Sequence, residues 1–144
     1  MDNWAQQEKS LKDIHPADTY TMEYLTAIAK DQNSIFLSAT ITGNLQLIRL
    51  EHIGYFRYGS NSKQWEAVLC DGHILRLKRN TNSQMILDYH ANLIQINQSV
   101  IVNITYLVFI KDDNCMLLPP FDRAEDLHVS RPFLKRLKEK FPSI

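Results

Sequence analysis

The sequence predicts a mainly β domain with a few short helices, and three observations carry that prediction. From Ile35 onward, apolar residues recur largely with the period of two that a half-buried strand requires. Turn-forming clusters at Thr42-Gly43, Asp71-Gly72 and Asp112-Asp113-Asn114 punctuate these runs at short spacing. Only residues 81–89 and the segment from Ser130 to the end show a helical stripe instead. A chain of 144 residues suffices for one domain with a sizeable core and is too short for two ordinary ones.

Taken in order, residues 1–34 read as a short helical N-terminal extension, and residues 35–144 as the β-rich domain. In the extension, Trp4, Leu11 and Ile14 fall at helical spacing, His15-Pro16 interrupts, and Met22, Leu25 and Ile28 form a second stripe. Such stripes pack on the parent domain or meet a second copy of the chain. Strands are expected at 35–40 and 44–50 around Thr42-Gly43, then at 53–58, followed by a polar loop at 59–63. The run 64–70 alternates, with Trp65, Ala67 and Leu69 on one face. It passes through Asp71-Gly72, the strongest hairpin signal in the chain, into 73–78. The mid-domain helix is expected at 81–89 with Met85 and Ile86 facing inward. Further strands follow at 93–96, 100–103, 106–111 and 115–118, where Pro119-Pro120 stops the ladder. A last short strand is expected at 126–129. Ser130 can then cap a C-terminal helix that tolerates Pro132 in its first turn and ends at Phe141-Pro142. On that helix Phe133, Leu134, Leu137 and Phe141 share a docking arc, while Arg131, Lys135 and Lys138 share another.

Sixteen basic residues balance sixteen acidic ones, which argues against a protein that coats nucleic acid by bulk positive charge. No apolar run approaches the ~18 residues of a membrane span. Asp2, Trp4, Gln6 and Gln7 give no secretory leader. A cytoplasmic protein with no membrane contact is therefore expected, and Cys70 and Cys115 read as core thiols. The zero total hides a split. Residues 1–34 hold three basic and six acidic residues, whereas the remainder holds thirteen basic and ten acidic. Such asymmetry points mildly to a polyanion, and a solvated basic helix face is an equally common cause.

Catalytic signatures are missing. Four glycines, at 43, 54, 59 and 72, allow neither a Walker loop nor a dinucleotide fingerprint. The five histidines show no metal-ligand spacing, and the carboxylate pairs at 112–113 and 125–126 read as turn residues. No enzyme activity, cofactor or metal is expected. What remains is a set of polar residues at loop positions. Asn61, Ser62, Lys63 and Gln64 follow Arg57; Asn97 and Gln98 interrupt two apolar runs; Ser130 and Arg131 open the basic helix. Arg and Lys match guanine edges in the major groove, and Asn and Gln match adenine.

In order along the chain, residues 35–141 resemble the LytTR DNA-binding domain of bacterial transcription regulators. The segments that carry the likeness are Arg49-Leu50-Glu51-His52-Ile53-Gly54-Tyr55-Phe56, Asp71-Gly72 with Leu75-Arg76-Leu77, the stretch from Ile94 to Asn103, and Val129-Ser130-Arg131-Pro132-Phe133-Leu134-Lys135. The resemblance implies an elongated, mostly antiparallel fold of about ten short strands that reads double-stranded DNA with loops rather than a recognition helix. It assigns base contacts to Lys63 or Gln64, to Gln98 with Asn97 beside it, and to Arg131. Arg57, Asn61, Ser62, Ser130, Lys135 and Lys138 are expected at phosphates, which set register without reading sequence. Asn97 stands where the family usually carries His, and no phospho-acceptor receiver domain is encoded in these residues. The expected function is sequence-specific transcription regulation. The alternative is a non-catalytic protein-interaction module that keeps the fold without DNA binding. A homodimer on DNA, or a signalling partner met through the N-terminal helices, is the further expectation.

Overall fold

The computed structural model describes residues 35–40 and 42–144, and the expected N-terminal helices lie outside the described residues. Nine strands and two helices occur there. Strands β1 (Ile35–Ala39) and β2 (Leu45–Arg49) form a separate hairpin. A 3-10 turn, Leu50–His52, leads into β3 (Ile53–Gly59), which pairs antiparallel with β4 (Gln64–Leu69). After β5 (Ile74–Arg76) come α1 (Ser83–Leu87), β6 (Leu93–Asn97) and β7 (Val100–Asn103). These five strands make one sheet of order β5-β4-β3-β7-β6. Strands β8 (Leu107–Lys111) and β9 (Asn114–Leu117) form a third sheet, and α2 (Arg131–Lys140) ends the fold.

The central sheet is buried on both faces, which is why β3 and β7 read as nearly continuous apolar runs. One face packs Ile53, Phe56, Trp65, Ala67, Leu93 and Ile101 against Ile48, Leu50 and Ile86. The other packs Tyr55, Ile94, Ile96, Val100 and Val102 against Cys115, Leu117, Phe121, Leu127 and Val129, with Leu134 and Leu137 of α2 beside them. Close packing of Phe121 needs Gly54, where a Cβ would lie 2.5 Å from the ring.

Helix α2 runs antiparallel along β6. Its start is fixed where the Ser130 N–H donates to the Ile96 carbonyl at 2.9 Å, and its end where Lys140 Nζ donates to the Ala91 carbonyl at 3.0 Å.

Four local expectations are corrected. The strand expected at 126–129 reduces to one bridge, Asn114 to His128. Asp126 turns the chain in at φ +62°, and Ser130 leaves β9 for Ile96, so no ladder has room to extend. Helix α1 spans only Ser83–Leu87; its start is set by the Asn82 side chain, which caps it by accepting from the Met85 N–H at 2.9 Å. On so short a helix one side faces the sheet: Ile86 is fully buried, and Met85 is 45% exposed rather than inward. Ser130 occupies the N-cap position without a side-chain capping bond, since Pro132 removes an N–H that such a cap would use. Phe141 leaves the docking arc because it adopts extended backbone, φ −115° and ψ 129°, and its ring sits 5.7 Å from Lys140 Nζ.

Among the described residues the core holds one buried polar side chain, Asn103, at 1% exposure. Its Nδ2 donates to the carbonyls of Leu50 (3.2 Å) and Ile53 (3.0 Å), and its Oδ1 accepts from Thr105 N–H (3.1 Å) and Oγ1 (2.8 Å). All its hydrogen-bonding capacity is used, so truncation orphans buried backbone groups. Asn103→Ala is expected to lower stability by about 2–4 kcal/mol, read as a shift in urea midpoint with unchanged slope.

Both cysteines are free, and burial pushes the Cys115 thiol from 9.0 up to about 11. The folded chain therefore holds this proton when the unfolded chain has lost it. Its contribution to stability is complete below pH 9.0 and is lost as pH rises through about 11. Urea midpoints should fall across that window, and fall less in Cys115→Ala. Tyr89 and Tyr106, whose phenols are pushed up chiefly by burial, add to the same slope in both proteins.

Candidate nucleic-acid interface

Antiparallel pairing brings the three polar segments to one end of the central sheet. Strand β3 ends in the loop 60–63, and β7 begins at the turn Gln98-Ser99, so both connections lie at the same edge. Their proximity is fixed by backbone: Arg57 pairs with Val100, and the Tyr58 N–H donates to the Ser99 carbonyl at 2.8 Å. The bond from Ser130 to Ile96 adds the first turn of α2 to the same end.

The β3–β4 loop closes with the Lys63 N–H on the Gly59 carbonyl at 2.8 Å, Lys63 itself being left-handed at φ +54°. A Cβ at Gly59 would collide with the Ser62 hydroxyl and the Glu66 carboxylate. Ser62 Oγ donates to Glu66 Oε1 at 3.2 Å, so Ser62 is half-buried and partly spent. The Gln64 amide donates one of its two N–H groups to the Leu77 carbonyl at 3.2 Å, which leaves its oxygen and one N–H for a ligand. Asn61 and Lys63 are exposed.

Gln98 projects from a two-residue turn whose geometry is set by Asn97. Asn97 Oδ1 accepts from the Ser99 N–H at 2.7 Å, an Asx turn, and its Nδ2 donates to the His128 carbonyl at 2.8 Å. Both ends of this amide are thus committed to backbone, while Gln98 is exposed. Arg131, Lys135 and Lys138 are exposed on one side of α2. Lys135 and Lys138 lie about 6 and about 10 Å further along the axis than Arg131. The Arg136 guanidinium lies 5.0 Å from the centre of the Phe133 ring.

Arg57, Asn97 and Ser99 meet in a cleft of about 260 Å³, together with Tyr58, Glu125 and Asp126. Sequence reasoning singled out Arg57 and Asn97, passed over Ser99 and Tyr58 as contacts, and read the carboxylate pair only as turn residues. The carboxylates reach the cleft only because residues 124–129 fold back beside the β6–β7 turn, a long-range contact with no local signal. A larger groove of about 950 Å³ lies between the β1–β2 and β4–β5 hairpins, bordered by His52, Asp71, His73 and Arg76. None of the expected DNA contacts lines it. There His73 bonds Asp71 through its backbone N–H (3.0 Å) and its ring (2.8 Å), and these bonds hold the Asp71 carboxyl below its usual range. No cluster able to hold a metal ion occurs among the described residues.

These features define a β-sheet domain that presents polar turns and a basic helix start at one sheet edge. The family model for the LytTr DNA-binding domain matches residues 43–142, and the chain belongs to that family. A similar solved structure is the LytTr DNA-binding domain assigned to a methyl-accepting/DNA response regulator from Bacillus cereus. It is 16% identical, with a TM-score of 0.50 over 74% of this chain and 94% of that one. No curated protein sequence matches the chain. Among the described residues no helix is long and apolar enough to cross a membrane.

The double role of Asn97 is open to direct test. In Asn97→Asp the Ser99 N–H keeps its acceptor, but the His128 carbonyl faces a carboxylate instead of a donor. Hydrogen exchange should speed up at residues 126–130 while β3 and β7 stay protected, and stability should fall by about 1–3 kcal/mol.

Proposed function

We propose that the chain is a non-catalytic transcription regulator that binds double-stranded DNA sequence-specifically with loops rather than with a recognition helix. The observation that carries this reading is the convergence of the 60–63 loop, the Gln98-Ser99 turn and the start of α2 at one sheet end. Residues 35–144 form its DNA-binding domain. Lys63, Gln98 and Arg131 are exposed and read base edges, and Gln64 contributes through its oxygen and its remaining N–H. Asn97 acts mainly by holding Gln98 in place. Arg57, Asn61, Ser62, Ser130, Lys135 and Lys138 meet phosphates, Ser130 at the helix start, where free backbone N–H groups favour an anion. Affinity then derives from counterion release by a modest basic set, and specificity from a few placed side chains.

A second reading, a protein-interaction module, is favoured by one observation. The outer face of the β1–β2 hairpin carries Leu37, Leu45 and Leu47 at 66–71% exposure. In vitro selection of duplex sites, followed by binding at two salt concentrations, separates the readings. A DNA-binding regulator shows an enriched site and a steep salt slope; an interaction module shows neither.

On a selected site, Arg131→Ala should cost roughly 1–3 kcal/mol and relax preference at one base position. Lys135→Ala should weaken all duplexes alike and reduce the salt slope by about 1. Uniform weakening by Arg131→Ala would identify Arg131 as a phosphate contact only.

A further inference from the structure

The cleft beside Gln98 contains an unexpected charge. Alongside Arg57, Asn97 and Ser99, it is lined by Glu125 and Asp126, both exposed. These carboxylates are not on a loose tail. Leu127 and Val129 are buried in the core, the Leu127 carbonyl accepts from the Cys115 N–H at 2.8 Å, and the Val129 N–H donates to Asp113 at 2.6 Å. The His128 carbonyl is held by Asn97, the residue that shapes the Gln98 turn. Among the described residues neither Glu125 nor Asp126 forms an ion pair within 4 Å, and Arg57 shares the cleft without a direct contact to either. Asp126 is also placed at φ +62°, a backbone state that Asp and Asn tolerate better than most residues.

A polyanion approaching this end of the sheet meets two fixed negative charges next to the reading turn. Against phosphates such charges only repel. Against base edges they have a partner, because the cytosine N4 amino group is a major-groove donor that Asp and Glu accept. We infer that Glu125 and Asp126 are specificity-determining residues that penalise non-specific phosphate contact and accept a hydrogen bond from a cytosine in the preferred site. This inference rests on the DNA-binding reading above. It describes discrimination by a repulsive element that one ligand satisfies and its competitors do not.

The test uses the full chain, a duplex obtained by in vitro selection, and a random duplex of equal length. The double variant Glu125→Gln/Asp126→Asn removes both charges while keeping size, and Asn suits the left-handed backbone at 126. Asp88→Asn, which removes an exposed charge from the other face of the sheet, serves as the control. The double variant should bind random duplex roughly three- to tenfold tighter at low salt, gain nothing on the selected site, and lose preference at one C·G pair. Asp88→Asn should leave the ratio of the two affinities unchanged. Equal gains on both duplexes, or no change on either, would overturn the inference and leave DNA binding itself standing. If the unmodified chain binds neither duplex at any salt concentration, the DNA-binding reading fails instead. Circular dichroism spectra and urea midpoints matching the parent show that the variants fold.

Discussion

The position of β3 governs everything at the reading end, and the buried Asn103 amide fixes where β3 begins. By bonding the carbonyls of Leu50 and Ile53, Asn103 ties the 3-10 turn before β3 to the end of β7, its neighbour in the sheet. Because side chains alternate along a strand, a shift of one residue would exchange the two faces of β3. Phe56 would leave one core cluster and Tyr55 the other. The same shift would carry Arg57 away from Val100 and Tyr58 away from the Ser99 carbonyl. A polar group buried at this cost makes sense as a register device, since an apolar residue at 103 could pack without specifying which carbonyl it faced.

At the sheet edge the polar side chains divide into those that build and those that remain free. Ser62, Gln64 and Asn97 spend hydrogen bonds on Glu66, Leu77, Ser99 and His128. Asn61, Lys63, Gln98 and Arg131 are exposed beside them. The division has a physical logic. A two-residue turn without a glycine gains rigidity from an Asx bond, and a long side chain reads a groove well only when its backbone does not move. Asn97 therefore matters most through the orientation it gives Gln98.

Much of the fold was legible because strands announce themselves through alternation and hairpins through their turns. Asp71-Gly72 located β4 and β5, and the short apolar run Val100-Ile101-Val102 located β7. The failures share a cause. The 126–129 segment alternates like a strand, yet its partners are Asn114 and Ile96, and nothing local in the sequence says that a ladder there is one bridge long. Met85 follows helical periodicity, but on a helix of five residues Ile86 is buried, Leu87 packs partly beside it, and Met85 is left facing outward. The site was legible as a set of residues and not as an arrangement. That Asn97 reaches His128, thirty-one positions away, is a property of the fold alone.

Charge completes the picture. The described domain carries only a small basic surplus, and part of its acid lies in the cleft beside the reading turn rather than on a remote face. A binder relying on bulk attraction would place Glu125 and Asp126 elsewhere, since each negative charge near a duplex opposes counterion release. On the proposed reading, their fixed position, held through His128 by the residue that shapes the turn, makes electrostatics a filter more than a glue. Weak general attraction also suits a protein that must leave wrong sites quickly, because the many non-specific sites of a genome compete with the few correct ones. If Arg131 and Lys135 meet DNA as proposed, their balance against the carboxylates in the cleft sets the ratio of affinities, and that ratio, not the tightness of any single complex, is what such a surface would control.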